Sequence, residues 1–421
     1  MSRSLKFPKK FLWGAATAAH QVEGGQHNQW TVWELENARS LAARASYQYD
    51  DLESWKAVAR EAKHPNNYVS GRGVDHFHRY EEDFRLLKQL GLTTFRFSIE
   101  WSRVEPEQGK WDAGAITHYR DYIRSMKKQG IVPVATLFHF TLPVWFAELG
   151  GFEKRRNVRH FVRFAEKVFE ELGSDLGYVV TVNEPTVYMN ESYLAGNWPP
   201  NKTGKLRGVW VLLNLIAAHK RIYALARASA HHRRLKLSMA HHVLHFYPGD
   251  TAWLSRMSAA VAGYAANTFT IRRVRRQSDY LAVNYYQAFR MFGYRAHNSE
   301  LLEVNDLGWD MQPELLEDVL EELWERHRLP ILVTENGLAD GEDAKRVTWL
   351  KETIGAMSRA LDAGVKLIGY LHWSLLDNFE WDKGYWPKFG LVAVNRRTMG
   401  RMVRPSARWL SGVIKRLRNE H

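Results

Sequence analysis

The sequence predicts an α/β protein, a single (β/α)8 TIM barrel spanning residues 1–421 with its active site at the C-terminal ends of the strands. Three observations predict it. Eight short, apolar, β-branched runs alternate for most of the chain with amphipathic helical stretches, the pattern of a parallel sheet buried on both faces. Most of these runs end in polar or aromatic residues that a packed barrel interior would not require. No linker, low-complexity stretch or repeat interrupts the alternation, so one domain is expected.

The first strand is expected near 11–17. A basic start followed by Phe11, Leu12 and Trp13 resembles a short signal peptide, but it runs into Gln21 and Glu23 and reads better as a first strand. A long polar segment, 24–74, follows, with one helix near 51–61. The next helix starts with Asp75 as N-cap, carries Phe77, Tyr80, Phe84, Leu87 and Leu90 close to a 3.6 period, and ends at Gly91. Strands are then expected at 93–99, 132–138, 178–182, 235–240, 280–283, 331–334 and 367–371. Helices fall near 115–129, 156–172, 208–230, 252–273, 313–327 and 343–363, and one at 405–417 closes the chain.

The composition bounds the chemistry. With 45% hydrophobic and 25% charged residues the chain is an ordinary globular protein. It has no cysteine, which excludes disulfides, thiolate catalysis and cysteine zinc sites and suits a cytoplasmic location. Its 17 Trp could fill a core or line a groove that stacks on sugar rings. The net charge is +13, with clusters such as Arg272, Arg273, Arg275 and Arg276. These read as solvated helix ends, and no nucleic-acid motif accompanies them, so no nucleic-acid partner is expected. No apolar run reaches ~18 residues, so no membrane partner is expected either. Phosphate-binding glycine loops and HExxH are absent. His241, His242 and His245 follow a strand and read as packed or exposed side chains, so neither metal nor cofactor is expected. The sequence leaves the oligomeric state open.

What gathers at the strand ends is a pair of glutamates among amides, hydroxyls and aromatic rings. Residues 178–182 run into Asn183, Glu184 and Pro185; residues 331–334 run into Glu335 and Asn336. Two buried strands each delivering a glutamate at the carboxyl edge suit a pair of catalytic carboxylates and glycosidic bond hydrolysis.

Eight stretches in order, FPKKFLWGAATAAHQVEG, VDHFHRYEEDF, FRFSIEWSRV, LFHFTLP, TVNEP, VNYY, VTENGLAD and HWSLLDNFEW, make the chain resemble a β-glycosidase of glycoside hydrolase family 1 over nearly its whole length. The resemblance implies a retaining exo-β-glycosidase with Glu335 as nucleophile and Glu184 as acid/base, acting on a small β-glucoside, β-galactoside or β-fucoside, or an oligosaccharide. It implies that Gln21, His139, Asn183, Glu380 and Trp381 hydrogen-bond the glycone, with Asn183 at the 2-hydroxyl. Trp373 would stack beneath the sugar, Tyr286 would hydrogen-bond the nucleophile, Arg96 would keep Glu335 ionised, and Asn284 would support the site from behind. Repulsion from ionised Glu335 is expected to raise the pKa of Glu184. Glu380 disfavours a 6-phosphate, and Glu184 departs from the myrosinase branch, where a glutamine replaces the acid. Phe140, Trp145, Trp198 and Trp309 are candidate aglycone contacts. Alternatives are a transglycosylating member or a non-catalytic carbohydrate-binding barrel. Phe140 and Thr141 replace a frequent Trp-Asp, His20 a common tyrosine, and Trp386 is unusual; the stretch before Asp75 and the short segment 241–279 also depart from the common pattern.

Overall fold

A computed structural model describes residues 5–297 and 302–419. The barrel strands are β1 (Leu12–Ala16), β2 (Thr94–Ser98), β3 (Val132–Thr136), β4 (Tyr178–Asn183), β5 (Lys236–Pro248), β6 (Leu281–Phe292), β7 (Ile331–Asn336) and β8 (Leu367–Trp373). They pair in parallel in chain order, β1 also pairing with β8, so the sheet closes. The (β/α)8 barrel expected from the sequence is thus the observed architecture. Alternation along the strands separates two cores. Val134, Val180, Ala282, Leu332 and Leu371 fill the interior, while Phe95, Phe97, Val179, Leu237 and Val333 pack outward under the helices.

Register shifts interrupt three strands near their carboxyl ends, between Val180 and Asn183, between Val283 and Asn284, and between Val333 and Asn336. Such irregularities re-aim the side chains that follow them. The ends of β7 and β8 also approach closely at Gly337. A Cβ there would lie 1.8 Å from the Trp373 carbonyl oxygen, so only glycine fits.

The structure corrects the expected elements at three places. First, the polar segment 24–74 contains a long helix, Gln29–Tyr49, started by a reciprocal cap between Asn28 and Thr31. Its buried face carries Trp30, Trp33, Leu41, Ala45 and Tyr49, and the alanines dilute the apolar signal. The second helix, Trp55–Ala62, is where the sequence placed it. Unusual Trp386 packs against Tyr49, with ring centroids 5.2 Å apart, so it props this added helix.

Second, Asp75 occupies the N-cap position of helix His76–Gln89 but does not cap it. Its left-handed backbone, φ 59°, turns the carboxylate away from the helix amides and onto the His78 imidazole. Third, β5 and β6 run well past the barrel as a pair, with Arg295–His297 forming a hairpin strand on β6. The sequence predicts these two strands to end at 240 and 283. Helix Lys205–Ala228, found where the sequence predicts one near 208–230, is long and apolar enough, by length and composition, to cross a membrane. It packs instead in the helical ring against Val158–Leu172, burying Val211, Leu215, Ala218 and Ile222.

Candidate active site

Each functional side chain sits where a strand stops. At the end of β4, Glu184 adopts a left-handed backbone, φ 41° and ψ 63°, before Pro185 opens a short helix. A non-glycine residue pays about 1–2 kcal/mol for that conformation. The neighbouring strands hold the kink. The Asn183 amide donates to the Phe138 carbonyl at 2.9 Å and the Glu184 amide to the Ala240 carbonyl at 2.9 Å. Phe140 and Trp381 are also left-handed, and with Glu184 they line one cleft, so backbone strain collects at this site.

The cleft has a volume of about 430 Å³, within the roughly 300–1,000 Å³ range of small-molecule sites. Glu184 and Glu335 both line it. A hydrogen-bonded chain joins them beneath its surface. Fully buried Arg96 contacts Glu335 Oε1 in a short ion pair and donates through Nη2 to Asn183 Oδ1 at 2.6 Å. Asn284 Nδ2 donates to the same Asn183 oxygen at 3.2 Å and to Glu184 Oε1 at 2.7 Å. The Thr334 hydroxyl donates to Asn284 Oδ1 at 2.7 Å, which fixes which way that amide faces. On its other oxygen Glu335 accepts the Tyr286 hydroxyl at 2.9 Å.

Burial raises both glutamates from an ordinary 4.5 to about 7. This revises the cause expected from sequence. Glu184 is lifted by loss of water, opposed by its Asn284 bond and by Arg96. Burial is also the main cause at Glu335, where Arg96 lowers the pKa and the charge on Glu184 raises it. The contacts nevertheless distinguish the two. Glu335 holds a guanidinium and a phenol donor, whereas Glu184 holds one neutral amide. A guanidinium in contact favours the ionised form more strongly, so Glu335 is the better carboxylate and Glu184 the better acid. Burial holds the Tyr286 phenol well above its usual range, so it stays a donor.

The inner end of the cleft carries polar atoms left open. His139 is kept neutral by burial and by Arg96. Because Asn183 Oδ1 is taken by Arg96 and Asn284, its Nδ2 faces His139 Nε2 at 3.3 Å, which assigns the imidazole proton to Nδ1. His139 Nδ1 is buried without a partner among the described residues, as is Gln21 Oε1. Gln21 itself is oriented by donating through Nε2 to the Phe379 carbonyl at 2.7 Å and to Asn378 at 3.1 Å, with Glu380 at 3.5 Å. The His139 ring lies nearly parallel to Trp373 and to Trp381, at 5.8 and 6.0 Å between centroids. Trp381 rests on Trp30 of the helix Gln29–Tyr49, 4.8 Å away, so the element missed in the sequence supports the site.

The structure therefore brings together Glu184, Glu335, His139, Tyr286, Trp373, Glu380 and Trp381 on the lining, with Gln21, Asn183, Arg96 and Asn284 directly behind. Of the aglycone candidates, Phe140, Trp198 and Trp309 line the cleft. Trp145 does not. Its indole donates to the Glu105 carbonyl at 2.9 Å and packs on Trp101 and His160, where a flat apolar ring fills the outer wall. His242 and Gln287 line the cleft unforeseen. The signal was their position just after β5 and β6 leave the barrel, and it was obscured because those strands had been read as shorter. No group of three His, Asp or Glu among the described residues is arranged to hold a metal ion.

The sequence model for glycosyl hydrolase family 1 matches residues 3–272 and 254–419. The chain is 30% identical to beta-glucosidase A of Acetivibrio thermocellus over 98% of both chains. It is 31% identical to the chloroplastic galactolipid galactosyltransferase of Arabidopsis thaliana over 80% of this chain and 57% of that one. The solved beta-glycosidase of Pyrococcus horikoshii superposes with a TM-score of 0.85 at 30% identity, covering 98% of this chain and 95% of that one. The chain belongs to glycosyl hydrolase family 1 and is a glycoside hydrolase of the β-glucosidase type.

Proposed function

We propose that the chain is a retaining exo-β-glycosidase that hydrolyses terminal, unphosphorylated β-D-glycosides, of glucose and also of galactose or fucose, by double displacement. The observation that carries this reading is the chain Glu335–Arg96–Asn183–Asn284–Glu184, which ties two unlike carboxyls into one hydrogen-bonded unit. Glu335 attacks the anomeric carbon while Glu184 gives its proton to the departing oxygen. The ester formed at Glu335 carries no charge, so the repulsion between the carboxyls ends. Glu184, now ionised, takes a proton from water, which attacks the anomeric carbon and releases Glu335. Asn183 Nδ2 is available to the 2-hydroxyl. The free His139 Nδ1–H and Gln21 Oε1 offer a donor and an acceptor to further ring hydroxyls, and Trp373 gives the sugar a flat face.

The single lysine of the lining, Lys383, is neutralised by Asp382 at 3.1 Å, and Glu380 stands beside it, which favours a neutral sugar over a 6-phosphate. The test is a panel of nitrophenyl β-glycosides that includes a 6-phosphoglucoside. Glu335→Gln is expected to lose roughly 10⁴-fold or more in turnover. Glu335→Gly with added azide is expected to yield the azide of inverted configuration. Full turnover by Glu335→Gln would refute the assignment, and preference for the 6-phosphate would refute the substrate class.

A second reading, transfer of the glycosyl group to an alcohol instead of water, is favoured by the likeness to the plant galactosyltransferase. Product analysis with an added alcohol distinguishes it.

A further inference from the structure

The outer surface carries a helix whose amphipathicity is reversed. Along Trp253–Gly263 and the turn after it, the residues facing the protein are small, Ser255 and Ala259, and both are buried. The large apolar residues face out. Trp253 is 71% exposed, Met257 47%, Val261 63% and Tyr264 45%. Their spacing of four, four and three residues sets them in one stripe over three helical turns. A wall helix of a barrel in water should show the opposite pattern. Helix Lys205–Ala228, which packs on the segment Phe269–Val274 that follows the stripe, also exposes large apolar residues at its start, Leu206 at 89% and Trp210 at 49%. These two short segments hold more than half of the exposed large apolar residues described, so the exposure is local, as in an interaction surface.

The same face is cationic. A shallow groove lined by Trp210, Leu213 and Ile216 reaches Lys220 and Arg273. These two also border a second cavity of about 810 Å³, with Arg272, Arg275, Arg276 and Arg326 around it. Among the described residues no carboxylate pairs with Lys220, Arg272, Arg273, Arg275 or Arg276; of the cavity's cations only Arg326 has one, Glu322 at 3.0 Å. Among the described residues no acidic one lines the cavity. Apolar side chains that can enter an acyl layer, bordered by unpaired arginines, complement an anionic lipid surface.

We propose that this face, helix Trp253–Gly263 with the first turns of Lys205–Ala228 and the arginines at 272–276, docks the protein on anionic bilayers. The sequence alone led to the expectation of no membrane partner, because the stripe is interrupted in sequence by serine, alanine and arginine and becomes continuous only in the folded helix. Ala265 and Ala266, next to the stripe, form part of the catalytic cleft wall, so docking sets the cleft beside the lipid surface. The proposal does not depend on which glycoside is cleaved.

The test is co-sedimentation of the full chain with vesicles of phosphatidylcholine, with and without phosphatidylglycerol, at low and high salt. Binding is expected to be at least about tenfold tighter to the anionic vesicles and to weaken as salt screens the arginines. Trp253→Ser combined with Met257→Ser and Val261→Ser, and separately Arg272→Glu combined with Arg273→Glu and Arg276→Glu, should each weaken it at least about tenfold. Both variants should turn over a soluble nitrophenyl β-glucoside like the parent, which shows that they fold. Equal binding to the two vesicle types would overturn the proposal. So would absence of vesicle binding with a dimer that the serine variant dissociates, which would make the stripe a self-association surface. Retention on DNA without vesicle binding would overturn it as well.

Discussion

The inner end of the cleft and its rim are built on different principles. At the inner end, Arg96, Asn183, Asn284 and Thr334 come from four strands, are fully buried, and fix one another's orientation through short hydrogen bonds. The rim is aromatic, with Phe140, Trp198 and Trp309 carried on loops; Phe140 and Trp198 pack on each other and on Trp381, and Trp309 packs on Phe389. Strand ends give positional accuracy because every backbone neighbour is already paired. Loops give shape that can change without disturbing the network. The proposed mechanism accordingly assigns the chemistry to the inner end and the choice of leaving group to the rim.

The comparison breaks most sharply at Arg96. Arg96→Met removes the cation in contact with Glu335 and leaves Asn183 free to turn. We expect kcat to fall by about 10³-fold, the cost of a buried, charge-bearing donor, with circular dichroism unchanged. Because Arg96 lowers the pKa of Glu335, the acid limb of the residual pH profile should also move to higher pH.

Glu184→Gln sharpens the same comparison, since it removes one proton and keeps the acceptor for Asn284. Turnover of glycosides with poor leaving groups should fall by about 10²–10⁴-fold, and of activated aryl glycosides far less, as read from a series of phenols of graded acidity. Stability provides an independent measure. Glu184 has a folded-state pKa raised from 4.5 to about 7, so the stability from its bound proton is present below 4.5 and is lost as pH rises through 7. Glu184→Gln should thus melt higher than the parent above pH 7 and equally below pH 4.5. Equal melting at both would place the carboxyl in water.

Under the proposed mechanism, raising the pH of the parent enzyme should first ionise Glu335 and increase the rate, then strip Glu184 and decrease it. With both groups near 7, kcat/KM should follow a narrow bell around neutrality, whose limbs belong to the pair. The smallest effect is expected at the rim. Trp309→Ala should raise KM for aryl glycosides about fivefold, from the loss of roughly 1 kcal/mol of aromatic contact, with kcat nearly unchanged. A comparable loss in kcat would move Trp309 from the rim to the reacting centre.

Much of the fold was legible because continuous apolar strands and periodic helices are local signals. Helix Gln29–Tyr49 was not, because alanines make up much of its buried face and its capping box uses Thr31 where a glutamate or glutamine is the usual sign. The paired ends of β5 and β6 were hidden because histidine and tyrosine suit a loop as well as a strand leaving a barrel. Among the site residues, Glu184 and Glu335 stood out as acids ending apolar runs. Trp145 looked equivalent to Trp198 in sequence, and only packing separates a ring fixed over Glu105 from one lining the cleft.

The barrel, the two glutamates and the set of amides and rings that accompany them are readable from the amino-acid order alone. These follow from strand periodicity and from polar residues that a core would exclude. Tertiary structure decided which atom of each group is occupied. Asn183 turns its oxygen to Arg96 and its amide outward, burial is the main cause that lifts Glu184, and a helix with its apolar face outward leaves a stripe beside a cationic cavity. These depend on contacts between residues as many as 239 positions apart, whose distances and dielectric surroundings no local pattern encodes.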